Sequence, residues 1–371
     1  MRGAALTKAA AASVPLGRAG KSQPMLVEAA RLDRSAVYEG ALLVFRRVPA
    51  MLALSELADR FVREAGADPT SAMNDSDANE AICRRFEADE SAQGLMIEAM
   101  AHVGVDVGTE GAAFVDRLRL RIQPSRPAAT VDAIDDARFA TGRFSETLPV
   151  HRDTWASNIA AQINMWGPMA PISAERTMRI FPSFLATPVP NTSAEWDFRE
   201  LRAAARAAAA AADSTSSGSD AASGYPQMPV FAPPDAESAA AWERRLHRDA
   251  FPVVIAPGDL LAFSGAHLHG SVPNATGIAR LSAEWRTVDQ GDLRRSPLPH
   301  TTLPLPPPSS SSLGREGAGD LERAEGFGGG EDGARSFGAV NCDGRAPRTE
   351  EPMRWFGHTS DPKRKLSRGG A

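Results

Sequence analysis

Apolar and polar residues repeat at two different periods along the chain, and the change of period divides it into two parts. A short apolar run at 41–45 ends just before a proline and predicts a buried strand. After it, apolar residues recur at helical spacing between Leu54 and Val62, and again from Asn79 to Val103. The N-terminal part is therefore predicted to be mainly helical around one strand.

The period then changes to two residues, the repeat of a β-strand. Short strands separated by Pro and Gly are typical of a β-sandwich or barrel of jelly-roll type. The first of them alternates apolar residues with arginines, which predicts an arginine face that lies toward water. The alternating residues are Leu118, Leu120 and Ile122 against Arg117, Arg119 and Arg121, and further strands are predicted at 162–166, 177–181, 252–255, 259–263 and 279–288.

A helical insertion interrupts the predicted strands at 196–250. Two stretches within it, 201–212 and 236–248, favour helix, and a Ser- and Gly-rich linker lies between them. Such an insertion would lie over one mouth of the sandwich, either as a lid or as a surface excursion without a role. The sequence thus predicts a mainly β fold with a jelly-roll core, flanking helices, a helical N-terminal part and a helical insertion.

The two ends of the chain differ in composition from the predicted domain at 37–289. Residues 1–36 form a predicted flexible leader, whose first part, 1–27, is rich in Ala and basic residues and contains no acid. That composition is typical of an organelle transit peptide or of a disordered leader. Residues 290–371 are rich in Pro, Ser and Gly, and we expect them to be largely disordered because they bury too little apolar surface to offset their ordering entropy.

Composition and charge narrow the classes of function. The chain has 371 residues, 43% of them hydrophobic and 23% charged, with a net charge of −5. A mildly acidic chain gives no support to binding of nucleic acids or anionic membranes, which would favour a basic face, so neither is an expected partner. No apolar run reaches the length of a membrane span, and the two cysteines, Cys83 and Cys342, provide no disulfide framework. We expect a cytoplasmic protein, or an organellar one if 1–27 is a transit peptide.

Three residues are candidate metal ligands: His151, Asp153 and His269. His151 and Asp153 are two positions apart, so on a strand or its extension their side chains point the same way. His269 follows a predicted strand far downstream, and a neighbouring strand can bring it to the same place. Two imidazoles and one carboxylate leave about half of an octahedral coordination sphere open, which is the arrangement of non-heme Fe(II) oxygenases. If the three side chains meet, we expect an oxygen-activating enzyme.

Each of these residues has a plainer interpretation when it is taken alone. A His-x-Asp pair is common on protein surfaces, and a single histidine often lies in a core or a loop. His267 lies two residues before His269 and would share its strand face, so strand parity does not choose between them. We prefer His269 because Gly270 and Ser271 follow it, and we expect His267 to line the cavity or to lie beside it.

The order and spacing of these motifs resemble the phytanoyl-CoA dioxygenase branch of the Fe(II)/2-oxoglutarate oxygenases. The resemblance extends over about 148–288 and implies a double-stranded β-helix core, Fe(II), O2, and 2-oxoglutarate as co-substrate. A different sequence at 179–184 replaces the Pro-Gly-Ser-His stretch often seen in the family, so the class of substrate is not implied. The elements that carry the resemblance are His151 and Asp153, the lead-in of Gly258 and Asp259, His269 with Gly270 and Ser271, Asn274, and Arg280 eleven residues past the distal histidine.

By the resemblance, His151, Asp153 and His269 are the iron ligands. Arg280 would pair with the distal carboxylate of 2-oxoglutarate, and Ser282 would donate to the same group. The chemistry of the side chains agrees, because a guanidinium fork matches a carboxylate with two charge-assisted hydrogen bonds. Arg280 and Ser282 also share one strand face, so both can reach one end of a ligand.

Other polar and aromatic residues are candidates for the walls of the site. Gln162, Asn164 and Trp166 alternate, so they share a strand face that could look into the cavity. Asn164 could then hydrogen-bond 2-oxoglutarate or an iron-bound water, and Trp155 could form a wall of the substrate pocket. Ordinary core packing is the plainer interpretation of each. Arg286 shares the strand face of the carboxylate-binding arginine and is a reserve candidate for that role.

The sequence therefore predicts an Fe(II)/2-oxoglutarate-dependent dioxygenase that acts on a small molecule. By the resemblance, oxidative decarboxylation to succinate and CO2 accompanies oxidation of the substrate, with hydroxylation as the default outcome. Asp153 argues against halogenation, because a halide needs the position that the carboxylate fills. Two alternatives stay open: a cupin-like metal enzyme that uses His267 and His269 together without 2-oxoglutarate, and a jelly-roll binding protein that has lost turnover.

Overall fold

Strands of the second part of the chain and helices of the first part make up most of the structure. The computed structural model describes residues 26–107, 113–127, 148–157, 159–193, 229–233 and 235–294. Within these residues the strands are β1 (Leu26–Glu28), β2 (Leu42–Phe45), β3 (Ala113–Val115), β4 (Arg119–Gln123), β5 (Gln162–Pro168), β6 (Met178–Phe181), β7 (Phe251–Pro252), β8 (Leu260–Ser264), β9 (Leu268–Ser271) and β10 (Arg280–Asp289). The α-helices are α1 (Arg34–Tyr38), α2 (Pro49–Glu64), α3 (Ser76–Ala88), α4 (Glu90–His102), α5 (Asp153–Ser157), α6 (Ala236–Asp249) and α7 (Gln290–Arg294), and Pro182–Phe184 forms a 3-10 turn.

The strands form a larger and a smaller sheet. In the larger sheet the strands are hydrogen-bonded in the order β1, β2, β8, β5, β10 and β3, and β4 also pairs with β10. β1 and β2 run parallel, and the other pairs of this sheet run antiparallel. The smaller sheet has the antiparallel order β7, β6, β9. The prediction of a β-rich fold with flanking helices is confirmed.

Helices α2, α3 and α4 cover the outer face of the larger sheet. Pro49 begins α2, where its missing N–H costs no helical hydrogen bond. Asp89 ends α3 and caps α4 by accepting from the N–H of Ala92 at 2.8 Å, so the helical stretch expected at 79–103 is two helices. The buried cluster between helices and sheet includes Leu54, Phe61, Phe86, Met96 and Met100 from the helices, and Leu120, Ile122, Leu281 and Trp285 from the strands.

The inner face of the larger sheet packs on the smaller sheet. Because side chains alternate across a strand, the residues next to those that meet the helices face inward. Apolar residues at these inward positions form a second buried cluster, and polar residues on neighbouring strands continue the same face into a cavity. The cluster contains Leu42, Val44, Trp166, Leu261 and Phe263 from the larger sheet, Met178 and Ile180 from the smaller sheet, and Val253 and Ile255.

The arginine face of β4 lies differently from the sequence-based expectation. Arg117 is exposed, but Arg119 and Arg121 line the cavity between the sheets, and Arg121 is 7% exposed. Arg121 donates two hydrogen bonds to Glu284 of β10, at 2.7 and 3.2 Å. The expectation that this face lies toward water is wrong for Arg121, because the helices cover the apolar face of β4 and turn its other face inward.

Several predicted segments lie outside the described residues or across their limits. The leader up to position 25, the helix at 201–212 and the tail from 295 onward lie outside them. The helix expected at 236–248 corresponds to α6, while β1 and α7 lie in the stretches assigned to the leader and the tail. No helix among the described residues has the length and apolar character needed to cross a membrane.

Candidate metal centre

The side chains of His151, Asp153 and His269 meet in the cavity between the two sheets. Their candidate ligand atoms all lie within 4.8 Å of one another. Nε2 of His151 is 3.2 Å from Oδ1 of Asp153, and Nε2 of His269 is 3.9 Å from the same oxygen. The centroids of the two imidazole rings are 4.3 Å apart. The structure thus brings the three predicted ligands into one group that can hold a metal ion.

Backbone carbonyl groups orient both imidazoles. Nδ1 of His151 is 2.9 Å from the carbonyl oxygen of Pro149, and Nδ1 of His269 is 2.9 Å from that of His267. A neutral ring that donates from Nδ1 keeps a lone pair on Nε2. In that tautomer the Nε2 atoms of both rings would face the Asp153 carboxylate with a lone pair, and a cation among them would relieve the repulsion between lone pairs and negative charge.

Burial and neighbouring charges set the protonation of this group. Burial, and then the nearby ring of His151, lower the pKa of His269 to about 4. Burial alone would raise the pKa of Asp153, but Arg286, His151 and His269 hold that pKa well below its ordinary value. At neutral pH the group thus offers a neutral His269 ring and an ionised carboxylate, which are the forms that bind a metal.

Strand β9 and the segment 148–151 bring the two histidines together. The N–H of His151 donates to the carbonyl of His269 at 2.8 Å, and the N–H of His269 donates back to the carbonyl of His151 at 2.9 Å. The N–H of Ser271 donates to the carbonyl of Leu148 at 3.0 Å and extends the pairing. A short antiparallel bridge therefore fixes residues from distant parts of the chain side by side.

Gly270 permits the close approach of these two segments. A Cβ at this position would lie 3.0 Å from the carbonyl oxygen of Pro149 and 3.2 Å from Cα of Val150. Asp153 does not continue the bridge, because it is the first residue of helix α5. The predicted strand extension therefore describes His151, whereas Asp153 reaches the same site from the start of a helix.

Two donors hold the second oxygen of Asp153. Oδ2 accepts from Nε of Arg286 at 3.1 Å and from Nε2 of Gln162 at 2.9 Å. Arg286 also donates from Nη1 to Asp116 at 3.2 Å. Burial opposes the charge of Arg286, but Asp153 and Asp116 raise its pKa above the ordinary value. Arg286 is thus committed to two carboxylates of the protein and is not placed as the reserve binder of a ligand.

Arg280 has the opposite surroundings. It is 2% exposed, and its Nε and Nη1 have no hydrogen-bond partner among the described residues. Its Nη2 donates to Oγ of Ser271 at 3.4 Å. The hydroxyl of Ser282, which is fully buried, likewise has no partner in the described part of the chain. Ser282 is not among the residues that line the cavity, whereas Arg280 is. Because buried donors without partners are costly, Arg280 marks a place for an acceptor in the cavity.

The charge of Arg280 is not balanced by its neighbours. Burial lowers the pKa of Arg280 to about 9, and Arg121 lowers it further while Glu284 opposes them. Glu284 is already paired with Arg121 at 2.7 Å. The three side chains together carry one excess positive charge, which favours an anionic ligand next to Arg280.

The metal group and Arg280 line the same cavity, which measures about 560 Å3 including the part open to solvent. Asn164, which is 5% exposed, is a polar wall residue of this cavity. Its Oδ1 accepts from Gln162 at 2.8 Å, so its amide nitrogen stays available as a donor. Leu148, Trp166, Met178 and Phe263 supply apolar walls.

His267 and Trp155 do not line this cavity. His267 is fully buried, with its two ring nitrogens 3.2 and 3.3 Å from the carbonyl oxygens of Ser264 and Gly40. Trp155 packs in a separate buried cluster with Phe184 and other apolar residues. The structure therefore places His267 beside the candidate metal centre, and it gives Trp155 a packing role.

Asp259 and Asn274, which also belong to the motif that resembles the oxygenase family, stabilise turns next to the strands. Asp259 accepts from Nη1 of Arg46 at 2.7 Å and from the N–H of Arg47 at 3.0 Å, just before β8 begins. Asn274 donates to the carbonyl of Ile278 at 2.8 Å and shapes the turn into β10. Both residues position the strands that carry the site rather than its ligand atoms.

Sequence reasoning missed two contributors to the site. The ring of Phe263 lies edge-on to that of His269, with centroids 5.2 Å apart, and its alternation with Leu261 on β8 is a signal for an inward position. Asp116 reaches the site through Arg286. Its placement depends on the pairing of β3 with β10, for which the sequence carries no readable signal.

No protein-family model and no curated protein sequence matches the chain. Several solved structures are similar to it. AviO1 from Streptomyces viridochromogenes Tue57 is 16% identical with a TM-score of 0.32, and the match covers 73% of this chain and 100% of AviO1. EctD from S. alaskensis, solved with 2-oxoglutarate and 5-hydroxyectoine, is 13% identical with a TM-score of 0.34, covering 70% of this chain and 76% of EctD.

A third similar structure is the epimerase SnoN in complex with Fe3+, alpha ketoglutarate and nogalamycin RO. It is 13% identical with a TM-score of 0.34, and the match covers 78% of this chain and 94% of SnoN. Iron and 2-oxoglutarate are thus ligands of proteins to which this chain is similar. At such identities and TM-scores, the assignment of a function depends on the geometry of the site itself.

Proposed function

We propose that the protein is an Fe(II)/2-oxoglutarate-dependent dioxygenase, built on a jelly-roll core, that oxidises a small molecule. The observation that carries the proposal is a His-Asp-His ligand group in the same cavity as a buried arginine that has unsatisfied donors. Neither feature alone selects this class of enzyme. Together they match a metal ion and a carboxylate-bearing co-substrate that share one space.

The donor set of the site fits Fe(II). Two imidazoles and one carboxylate form the facial triad of non-heme iron oxygenases. His151 and His269 would bind through Nε2, because their Nδ1 atoms are engaged with carbonyl groups, and Asp153 would bind through Oδ1. The hydrogen bonds at Nδ1 also fix the orientation of the rings and make Nε2 a more basic ligand for a metal ion. When bound, iron and the keto acid supply the activation of O2 and the oxidising power of the reaction.

Arg280 would hold the distal carboxylate of 2-oxoglutarate. Ser271 orients the guanidinium through Nη2, and Nε and Nη1 remain to donate to a carboxylate. Ser271 lies two residues past His269 on β9, so it shares a strand face with the ligand about 7 Å farther along. A five-carbon diacid can bridge such a span. The buried hydroxyl of Ser282 would be a second donor to the same carboxylate.

The remaining residues of the cavity would position the co-substrate and exclude water. The amide nitrogen of Asn164 would donate to 2-oxoglutarate or to a metal-bound water, because its oxygen is already engaged with Gln162. Phe263 packs against His269 and keeps water from that side of the ring. A water-poor cavity strengthens the charge interactions within it.

The substrate would occupy the open part of the cavity and be a small molecule. Hydroxylation is the default outcome, with release of succinate and CO2. Asp153 argues against halogenation, because its carboxylate occupies the position that a halide would need.

The cupin-like alternative, in which His267 and His269 act together, has less support. Both ring nitrogens of His267 lie near carbonyl oxygens, and its side chain is not among the residues that line the cavity. A binding protein without turnover would keep the same ligand set, so only a measurement of turnover separates it from an oxygenase.

Succinate formation by the purified full-length protein tests the proposal. With Fe(II), ascorbate and 2-oxoglutarate we expect iron-dependent succinate, which the cognate substrate accelerates when a metabolite panel is screened. His151→Ala and Arg280→Met should abolish it. Arg63→Met, on the exposed face of α2, is the matched control and should retain it. A protein that binds no 2-oxoglutarate in the presence of Fe(II), or whose turnover survives His151→Ala, contradicts the proposal.

A further inference from the structure

The two carboxylate oxygens of Asp153 have different surroundings. Oδ1 faces Nε2 of His151 and of His269, at 3.2 and 3.9 Å. Oδ2 accepts from Nε of Arg286 at 3.1 Å and from Nε2 of Gln162 at 2.9 Å. A carboxylate can bind a metal through one oxygen or through both. In this site one oxygen already has two donors of the protein.

Arg286 is fixed from its other side as well. Its Nη1 donates to Oδ2 of Asp116 at 3.2 Å, and the backbone N–H of Asp116 donates to the carbonyl of Arg286 at 2.8 Å. Gln162 is shared too, because its amide nitrogen also donates to Oδ1 of Asn164 at 2.8 Å. A planar guanidinium held between two carboxylates has little freedom to swing away. The orientation of Asp153 is therefore set by side chains that are themselves held in place.

Resting on the proposed metal centre, we propose that Arg286 and Gln162 are positioning residues that restrict Asp153 to binding the metal through Oδ1 alone. The restriction matters because three protein ligand atoms leave about three positions on an octahedral ion. The keto acid end of 2-oxoglutarate needs two adjacent positions. A second oxygen from Asp153 would occupy one of the remaining positions and weaken binding of the co-substrate.

This role differs from simple support of the fold. If Arg286 only filled space and balanced charge, its loss would lower stability without changing how many positions on the ion are open. If it restrains Oδ2, its loss frees that oxygen to reach the metal. The number of metal-bound waters therefore separates the two roles.

The test uses Mn(II) as the probe with the full-length protein. Electron paramagnetic resonance in 17O-enriched water counts the waters on the bound ion, and calorimetry measures the affinity of the Mn(II) protein for 2-oxoglutarate. Arg286→Met removes the restraint. Arg286→Lys keeps the charge but cannot bridge both carboxylates as a fork. Arg34→Met is the matched control, since it removes an arginine that also bridges two carboxylates, Asp289 at 3.1 Å and Asp292 at 2.6 Å, but does not line the cavity.

We expect about three waters on the ion in the wild type and in Arg34→Met, and one fewer in Arg286→Met. The affinity of Arg286→Met for 2-oxoglutarate should fall about tenfold or more, the usual effect of losing an outer contact of a metal site. Arg286→Lys should lie between the two, and it keeps the test decisive if Arg286→Met does not fold.

Equal water counts and equal 2-oxoglutarate affinities in wild type and in the Arg286 variants would overturn the inference and leave the proposed function standing. The same loss of a water in Arg34→Met would also overturn it. A wild type that binds Mn(II) but no 2-oxoglutarate would overturn the proposed function instead, while the water counts would still decide the role of Arg286.

Discussion

Arg280 and Arg286 lie on the same face of β10, the first at the start of the strand and the second six residues further on, and both are largely buried in one cavity. Arg286 donates to Asp153 and Asp116, whereas two nitrogens of Arg280 have no partner among the described residues. This difference in partners shifts the pKa values of the two guanidinium groups in opposite directions. The carboxylates raise the pKa of Arg286 against the effect of burial, and burial lowers the pKa of Arg280 to about 9.

The difference separates a structural arginine from one prepared for a ligand. A guanidinium that the protein itself satisfies contributes to the folded state, while an unsatisfied one is a cost that a bound anion can repay. Between the two, Glu284 pairs with Arg121 and so does not neutralise Arg280. On this strand face, Arg286 lies at the candidate metal centre and has carboxylate partners from the protein. Arg280 lies farther from that centre and depends on a ligand for its partners.

Removing Asp153 should have the largest effect, because it deletes a metal ligand and half of the pairing of Arg286. We expect Asp153→Ala to lose Mn(II) affinity by more than the roughly 10- to 100-fold that follows loss of an outer contact. Titration calorimetry measures the affinity, with Asp59→Ala on the exposed face of α2 as control. Unchanged affinity in Asp153→Ala would show that the group does not bind metal through this carboxylate.

Replacing each arginine by Met sharpens the comparison through the sign of the effect. Arg286→Met leaves two carboxylates without their cation, and we expect it to lower the free energy of unfolding by about 3 kcal/mol. Arg280→Met removes an unsatisfied buried charge and should leave the metal-free, ligand-free protein equally stable or about 1 kcal/mol more stable. Urea unfolding of both variants measures these values. Equal losses of stability in the two variants would end the distinction.

The ion pair of Glu284 with Arg121, which lies between Arg280 and Arg286, can be tested by lowering the pH. Burial alone would raise the pKa of Glu284, but Arg121 and then Arg286 lower it to about 2, below the ordinary 4.5. A carboxyl whose folded pKa is depressed stabilises the protein above its ordinary pKa, and that contribution is lost as pH falls from 4.5 toward 2. It amounts to at most about 3 kcal/mol.

Unfolding free energies of wild type and Glu284→Gln at pH 7 and at pH 3 measure this contribution. The wild type should lose more stability on acidification than the variant, which has no carboxyl at position 284. If the two lose the same amount, the pair does not hold Glu284 ionised.

The smallest effect is expected at the bridge that aligns the histidines. A methyl group in Gly270→Ala would press on the carbonyl oxygen of Pro149, at 3.0 Å, and push the segment that carries His151. We expect a loss of about 1 kcal/mol in stability and a weaker affinity for Mn(II). Gly94→Ala is the control, because nothing lies within 4 Å of its added Cβ in helix α4, and it should stabilise by roughly 0.5–1 kcal/mol. An unchanged metal affinity in Gly270→Ala would mean that the segment 148–151 can shift without displacing His151 from the metal centre.

The sequence was informative where chemistry and local spacing coincide. His151, Asp153 and His269 could be selected as a set because few residue types bind iron. Arg280 and Ser282 were implied by the resemblance to the oxygenase family, and the strand period agreed by placing them on one face. The structure brings the first three together and leaves the donors of the last two unsatisfied. Their roles as ligands of iron and of 2-oxoglutarate stay predictions until binding is measured.

The partners of Asp153 could not be predicted, because they depend on strand register. Gln162 and Arg286 reach the same oxygen only because β5 and β10 are paired in one particular alignment. The inward face of β4 was missed for a related reason. A period of two shows that Arg121 and Leu120 point in opposite directions, but it does not show which direction the helices will cover.

The backbone bridge between His151 and His269 also links metal binding to the course of folding. The two residues lie far apart along the chain, so the bridge forms only when a long loop closes, and such closures are slow steps. Until then a refolding chain offers an ion only the local pair of His151 and Asp153. Uptake of the metal through all three ligands would therefore report that this long-range contact has formed, and the bound ion would hold the contact closed by mass action.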